Sequence, residues 1–171
     1  MNTVGKFENV SLEQFKSDFM KQTIETMSIQ YPPQLPQRST YGSAGYDFIA
    51  PFDIKIPYGQ SMVIPTGVKC AIREDWFLAL FPRSGQGFKF GIEITNTVGI
   101  IDSDYYDNDD NEGHIMVKIT NKDISIQKDF EVKVGQAFCQ GIFLPYGVTV
   151  DDDKTNKSVR TGGVGSTGGV N

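Results

Sequence analysis

Histidine, cysteine and tryptophan are scarce in this chain, at one, two and one in 171 residues. With His114 as the lone histidine, a multi-histidine metal centre is excluded, and so is a second imidazole as catalytic base. Cys70 and Cys139 come without an apolar stretch behind Met1–Lys6, so they read as reduced thiols in a cytoplasm. Apolar runs of spanning length are missing, and no membrane segment is expected. Positive charge is also short, with 16 Lys and Arg against 21 Asp and Glu. That balance speaks against a general nucleic-acid surface, whereas a few local arginines suffice for a small polyanion.

What remains supports one compact domain, because 39% hydrophobic residues can fill a core. Residues 8–30 carry the one helix pattern. Ser11 is placed to cap it, Gln14 to complete a capping box, and Leu12, Phe15, Phe19 and Ile24 recur at helical spacing. Tyr31–Pro36 ends it as an extended linker. Beyond Tyr41 the period changes to two. Phe52, Ile54 and Ile56 alternate with polar residues, as do Ile115, Val117 and Ile119, and Phe130, Val132 and Val134. Phe77–Phe81 is apolar on both faces and reads as a central strand. Many short strands punctuated by proline predict an all-β barrel or sandwich. Asp107–Glu112 is a polar hairpin tip. The chain after Asp151 is polar, then Gly-rich, and is expected to be mobile alone.

Five patches could carry chemistry. In Asn96–Tyr105 an apolar run stops on Asp102, at a strand end that would hold a carboxylate rigidly beside a water. Ser43–Asp47 sets small residues before a carboxylate, as a tight turn also would. Pro82–Gly85 joins an arginine and a hydroxyl to free backbone N–H groups, an anion nest or a plain hairpin end. Gln140 stands inside an apolar strand, where its amide needs core partners or a ligand. Arg160–Gly169 is a flexible tail that could order over a phosphorylated ligand. Spacing excludes a P-loop, a dinucleotide-binding Gly-x-Gly-x-x-Gly and an EF-hand.

Taken in order, Ala-Gly-Tyr-Asp, Pro-Arg-Ser-Gly, Gly-Ile-Ile-Asp-Ser-Asp-Tyr, a Gln-bearing strand and a Gly-Ser-Thr-Gly tail resemble the motifs of the trimeric dUTPase family, from about Leu35 to Gly168. The resemblance implies a distorted jelly-roll β-barrel with an N-terminal helical extension. Residues 1–34 would be extension and linker, 35–150 the β domain and 151–171 a tail closing over the site. It implies a homotrimer with sites at subunit interfaces, and hydrolysis of dUTP to dUMP and pyrophosphate with Mg²⁺. Asp102 matches the base that activates water at the α-phosphorus. Tyr105 matches the ring on the deoxyribose; Asn96 and the backbone around Gly99 and Ile101 match the uracil-binding hairpin. Arg83, Ser84 and Gly85 match the phosphate turn, Gln140 a group near the phosphates, and Arg160 the tail clamp on the terminal phosphate. Asp47 matches the carboxylate that meets Mg²⁺ through water.

Some positions depart from the pattern. Val164, before Gly165 and Ser166, stands where the tail usually stacks an aromatic ring on uracil, and the segment from Arg160 is one residue short. Ala137 or Phe138 replaces a basic residue, Tyr106 replaces a small or basic one, and the acidic tip lengthens the hairpin turn. The N-terminal helix lies outside the family core, as a docked addition or a site for a protein partner. Two other functions are compatible. One is a dCTP deaminase relative, with Glu93 as the extra acid/base. The other is a nucleotide-gated module that contacts a protein.

Overall fold

The computed structural model describes residues 3–22, 28–122, 127–152 and 162. Arg160, Val164, Gly165, Ser166 and Ile24 lie outside the described residues, as does most of the tail.

Eleven strands are formed among the described residues, in four sheets. Strand β1 (Gly5–Asn9) pairs with β5 (Val68–Ile72), and β3 (Ile54–Ile56) with β10 (Phe130–Val132). A four-stranded sheet runs β2 (Tyr46–Ile49), β11 (Ala137–Pro145), β6 (Trp76–Phe81), β8 (Gly99–Ile101). The fourth sheet runs β4 (Ser61–Pro65), β9 (Met116–Asn121), β7 (Ile92–Ile94). All pairings among the described residues are antiparallel, as in a jelly-roll-type fold.

Period-two positions turn inward as expected. Ile54, Ile56, Ile115, Val117, Ile119, Phe130 and Val132 are buried in one core with Phe48, Phe52 and Phe138. Each such side chain contributes ~1.5–3 kcal/mol of burial. Val134 is the exception, exposed beyond the end of β10. Strand β6 is central in its sheet, between β11 and β8, and its two faces are buried at Leu78 and Leu80 on one side and Ala79 on the other.

The N-terminal segment differs from expectation. Residues 5–9 form a strand, so the helix expected from residue 8 starts later; Phe7 packs on Tyr46, Phe48 and Phe143 while Lys6 points outward. Helix α1 (Leu12–Gln22) follows, with Phe15 and Phe19 buried. Ser11 does cap it, its Oγ accepting from Gln14 N at 3.0 Å. The reciprocal half of the box is not Gln14, whose amide turns to Asp18 at 2.7 Å. Glu112 supplies it from a remote loop, accepting from Ser11 N at 2.9 Å and Ser11 Oγ at 2.6 Å. The linker is docked as well. Tyr31 donates to the Val10 carbonyl at 3.1 Å, and Pro33 lies over Gly67, where a Cβ would meet its ring at 2.3 Å.

A second helix, α2 (Ser84–Phe90), stands where the sequence reads as a hairpin end. Two glycines in seven residues hide it. It begins with Gln86 N and Gly87 N both donating to the Arg83 carbonyl and stops at Gly91, which adopts a left-handed φ of 56°.

Candidate active site

Cross-strand register assembles the phosphate-type groups. Phe81, Gln140 and Asp47 stand in one row across β6, β11 and β2, so their side chains share a face. Pro82 ends the ladder, and Arg83 turns back over the row. Its Nε lies 3.0 Å from Asp47 Oδ1, while Ser39 Oγ donates to Asp47 Oδ2 at 2.7 Å. Gln140 Nε2 donates to the Pro82 carbonyl at 3.0 Å, so the amide buttresses the turn. Gly45 permits this, because a Cβ there would come within 2.4 Å of Gln140 Oε1. Asp47, Arg83, Ser84, Gln140 and Ser43–Gly45 line a polar cavity of about 370 Å³. Gly85 is exposed in the first turn of α2.

Sequence reasoning missed two supports of this cavity. Arg38 donates to the carbonyls of Tyr41 and Ser43, at 2.9 and 3.1 Å, and so shapes the loop before Asp47. Ser39 orients Asp47 directly. Neither has a periodic signal; only their place beside a small-residue turn could have marked them.

The second group lies on the β7–β8 hairpin and the loop beyond it. Thr97 N donates to the Ile94 carbonyl and Val98 N to the Asn96 carbonyl, both at 2.8 Å, which tightens the turn at Asn96. Thr97 holds a left-handed φ of 69°, uncommon for a β-branched residue. Gly99 is pressed on Leu80, with 3.1 Å from a built Cβ to that side chain, and Ile101 pairs with Leu78. Asp102 follows in extended backbone and opens the 3₁₀ turn Ser103–Tyr105, exposed at the strand end.

Tyr105 closes that 3₁₀ turn and is buried. The ring is 3% exposed, and its hydroxyl donates to the His114 carbonyl at 2.9 Å and accepts from Asn111 at 2.8 Å. Asn108 Nδ2 reaches the Tyr105 carbonyl at 2.8 Å and Asn111 Oδ1 at 2.9 Å. The expected polar hairpin tip is therefore a folded loop, built inward on Tyr105 by two buried asparagines.

His114 does no surface chemistry. It is 0% exposed, with Nδ1 at 2.7 Å from Asp18 Oδ2 and Nε2 accepting from Gly67 N at 2.8 Å. A backbone N–H can only donate, so Nε2 is bare and Nδ1 carries the proton. Burial would raise the Asp18 carboxyl, but hydrogen bonds from His114, Gln14 and Lys21 outweigh it and hold that group well below the usual carboxylate range.

The two groups do not meet within one chain. Asp102 lies one residue past Ile101, which faces Leu78, whereas Arg83 lies beyond the other end of β6. At ~3.3 Å per residue the two are roughly 20 Å apart along the sheet. Among the described residues no helix is long and apolar enough to cross a membrane, and no cluster of three acidic, histidine or cysteine side chains forms a metal cage.

Comparison with known proteins identifies the family. The dUTPase family model matches residues 32–168. The deoxyuridine 5′-triphosphate nucleotidohydrolase of Lactococcus lactis is 39% identical over 134 residues, covering 78% of this chain and 87% of that protein. Among solved structures, the dUTPase of Streptococcus mutans superimposes with a TM-score of 0.61 and 32% identity, over 73% of this chain and 98% of that one. A variant dUTPase of Staphylococcus aureus phage phi11, described as showing the coordination of a structural Mg(II) ion, shares the fold with a TM-score of 0.59 at 20% identity, over 76% of this chain and 97% of its own. The chain belongs to the dUTPase family.

Proposed function

We propose that the protein hydrolyses dUTP to dUMP and pyrophosphate, in the cytoplasm, as a homotrimer with sites between subunits. The observation that carries this is the split just described: a phosphate turn and an exposed strand-end carboxylate at opposite ends of β6. A general base must stand within hydrogen-bond reach of the water it activates. Separation by roughly 20 Å along the sheet is resolved when the turn of one subunit faces Asp102 of another.

In that assembly Asp102 orients and deprotonates the water that attacks the α-phosphorus. The P–O bond to the β-phosphate breaks, and pyrophosphate leaves. Arg83, Ser84, Gly85 and Gln140 receive the phosphates. Asn96 and the backbone from Gly99 to Ile101 hold uracil, where polar complementarity would leave cytosine mispaired. Tyr105 closes the sugar side, acting mainly by fixing the loop beside the sugar. Arg160, Val164, Gly165 and Ser166 complete the site from the tail.

Asp47 is the acidic residue lining the phosphate cavity. A hard cation that keeps its waters and leans on substrate phosphates needs no more than one such carboxylate, so the donor set fits Mg²⁺ bound through water. When bound, the ion offsets phosphate charge and stabilises the leaving group.

A pyrophosphate-release assay with dUTP, UTP, dCTP and dTTP, with and without Mg²⁺, tests the reading. Turnover is expected for dUTP alone, and Asp102→Asn should lose ~10²–10⁴-fold. A normal rate in that variant would remove the base from the mechanism. Deamination is not favoured: Glu93 lies on the exposed side of β7, paired with Lys122 at 2.6 Å.

A further inference from the structure

The family match begins at residue 32, yet the preceding segment is fastened to the loop that carries Asp102. Three of its residues hydrogen-bond to that loop. Glu8 on β1 accepts from the Tyr106 hydroxyl. Ser11 binds Glu112 through both its backbone N, at 2.9 Å, and its hydroxyl, at 2.6 Å. Asp18 on α1 holds His114 at 2.7 Å. Lys69 on β5, the strand β1 pairs with, adds an ion pair to Asp107 and lies 5.2 Å over the Tyr106 ring. The loop is thus tied along its length, at 106, 107, 112 and 114. It enters that stretch directly from the 3₁₀ turn that Asp102 opens.

An exposed acidic insertion of this length would ordinarily be loose, with its charges repelling one another. Here two of its anions, the exposed Asp107 and the half-buried Glu112, both have partners. Burial would raise the Glu112 carboxyl, but the two bonds from Ser11 hold it below its ordinary value. The apolar face of α1 seats the rest: Phe15 packs edge-on to the His114 ring, and Phe19 edge-on to Phe52 in the core. A segment so anchored is a rigid wall against which the loop can be set.

We infer that the N-terminal segment is a brace for the catalytic loop, and that Glu112, joined to Ser11, is a positioning residue for Asp102. This rests on Asp102 being the base. Displacing a reacting group by ~1 Å costs about a hundredfold. Loosening one end of a many-point tether should cost less, about tenfold in kcat. The substrate is bound by other groups, so KM should stay within about twofold.

The test uses the full chain in its assembled state, with dUTP and Mg²⁺. Glu112→Gln and Ser11→Ala should each lower kcat about tenfold with KM nearly fixed, and Ser11→Thr should restore the rate. Amide exchange across residues 103–113 should quicken in the two slow variants. Tyr106→Phe, which loses only the bond to Glu8, is a milder version of the same effect. In an Asp102→Asn background Glu112→Gln should add nothing, since the brace would have no base to position. Wild-type kcat in Glu112→Gln and Ser11→Ala, or an equal loss in both backgrounds, overturns the inference. Full activity in Asp102→Asn alone would instead fault the assignment of the base, and the two failures are told apart.

Discussion

Gly113 and Gly59 both hold left-handed backbone, with φ of 75° and 74°, but their surroundings differ. Around Gly59 nothing lies within 4 Å of a built Cβ, whereas at Gly113 the Tyr105 carbonyl would be 2.6 Å away and Tyr106 Cα 2.9 Å. Left-handed strain alone costs ~1–2 kcal/mol for an alanine. Pressing a methyl into backbone that cannot rotate away adds ~1–3 kcal/mol. Gly59→Ala should therefore lose about 1 kcal/mol and Gly113→Ala about 3 kcal/mol in urea unfolding. Equal losses would mean that the loop yields, contrary to its dense asparagine bonding. Neither glycine's surroundings can be read from the sequence. Contact distance, which no local pattern encodes, makes one of them costly.

At the scale of elements, the strands with period two were legible because each has one wet face and one dry face. Ile54, Ile56, Val117, Ile119, Phe130 and Val132 follow that rule. Strand β1 and helix α2 were not. Strand β1 takes its identity from pairing with β5, whose partner residues lie 59 to 67 positions away. In α2 glycines mask a helix that an adjoining carbonyl at Arg83 starts. Asp47, Gln140 and Arg83 were each found as candidates, but their meeting depends on the register of three strands. Helix α1 also carries a pH dependence. The Asp18 carboxyl is depressed in the folded chain from its ordinary 3.8. It therefore stabilises the fold at neutral pH, and this contribution fades as acid takes the pH below about 4. Asp18→Asn should flatten that acid limb of the unfolding curve. An unchanged slope in the variant would show that other carboxylates dominate.

For the whole molecule, the distance between Arg83 and Asp102 makes a prediction about mixtures. On the proposed roles, Arg83→Ala would spoil the phosphate turn and Asp102→Asn the base, so each variant alone should be inactive. Co-expressed, the two chains would assemble at random. If each site draws its turn and its base from different subunits, roughly a quarter of sites would recover both intact groups. Activity near that fraction in the co-purified mixture, and none after mixing separately assembled variants, is the expected pattern. No recovery in either case would mean that one chain supplies both. The sequence held the motifs, but no residue pattern within it sets the span between them. That span comes from β8 running antiparallel to β6, which sends Asp102 and Arg83 in opposite directions.

The buried imidazole offers one practical consequence. A chain with a single histidine gives one pair of ring ¹⁵N resonances, free of overlap. While Gly67 N donates to Nε2, that pair should show the rarer form protonated at Nδ1. A free histidine side chain in water favours the other form. Truncation of the amino-terminal arm takes the Asp18 carboxylate away from Nδ1 and would be read directly as a displacement of that nitrogen's resonance. The protein thus contains its own spectroscopic gauge of whether the arm is seated, and no probe has to be attached.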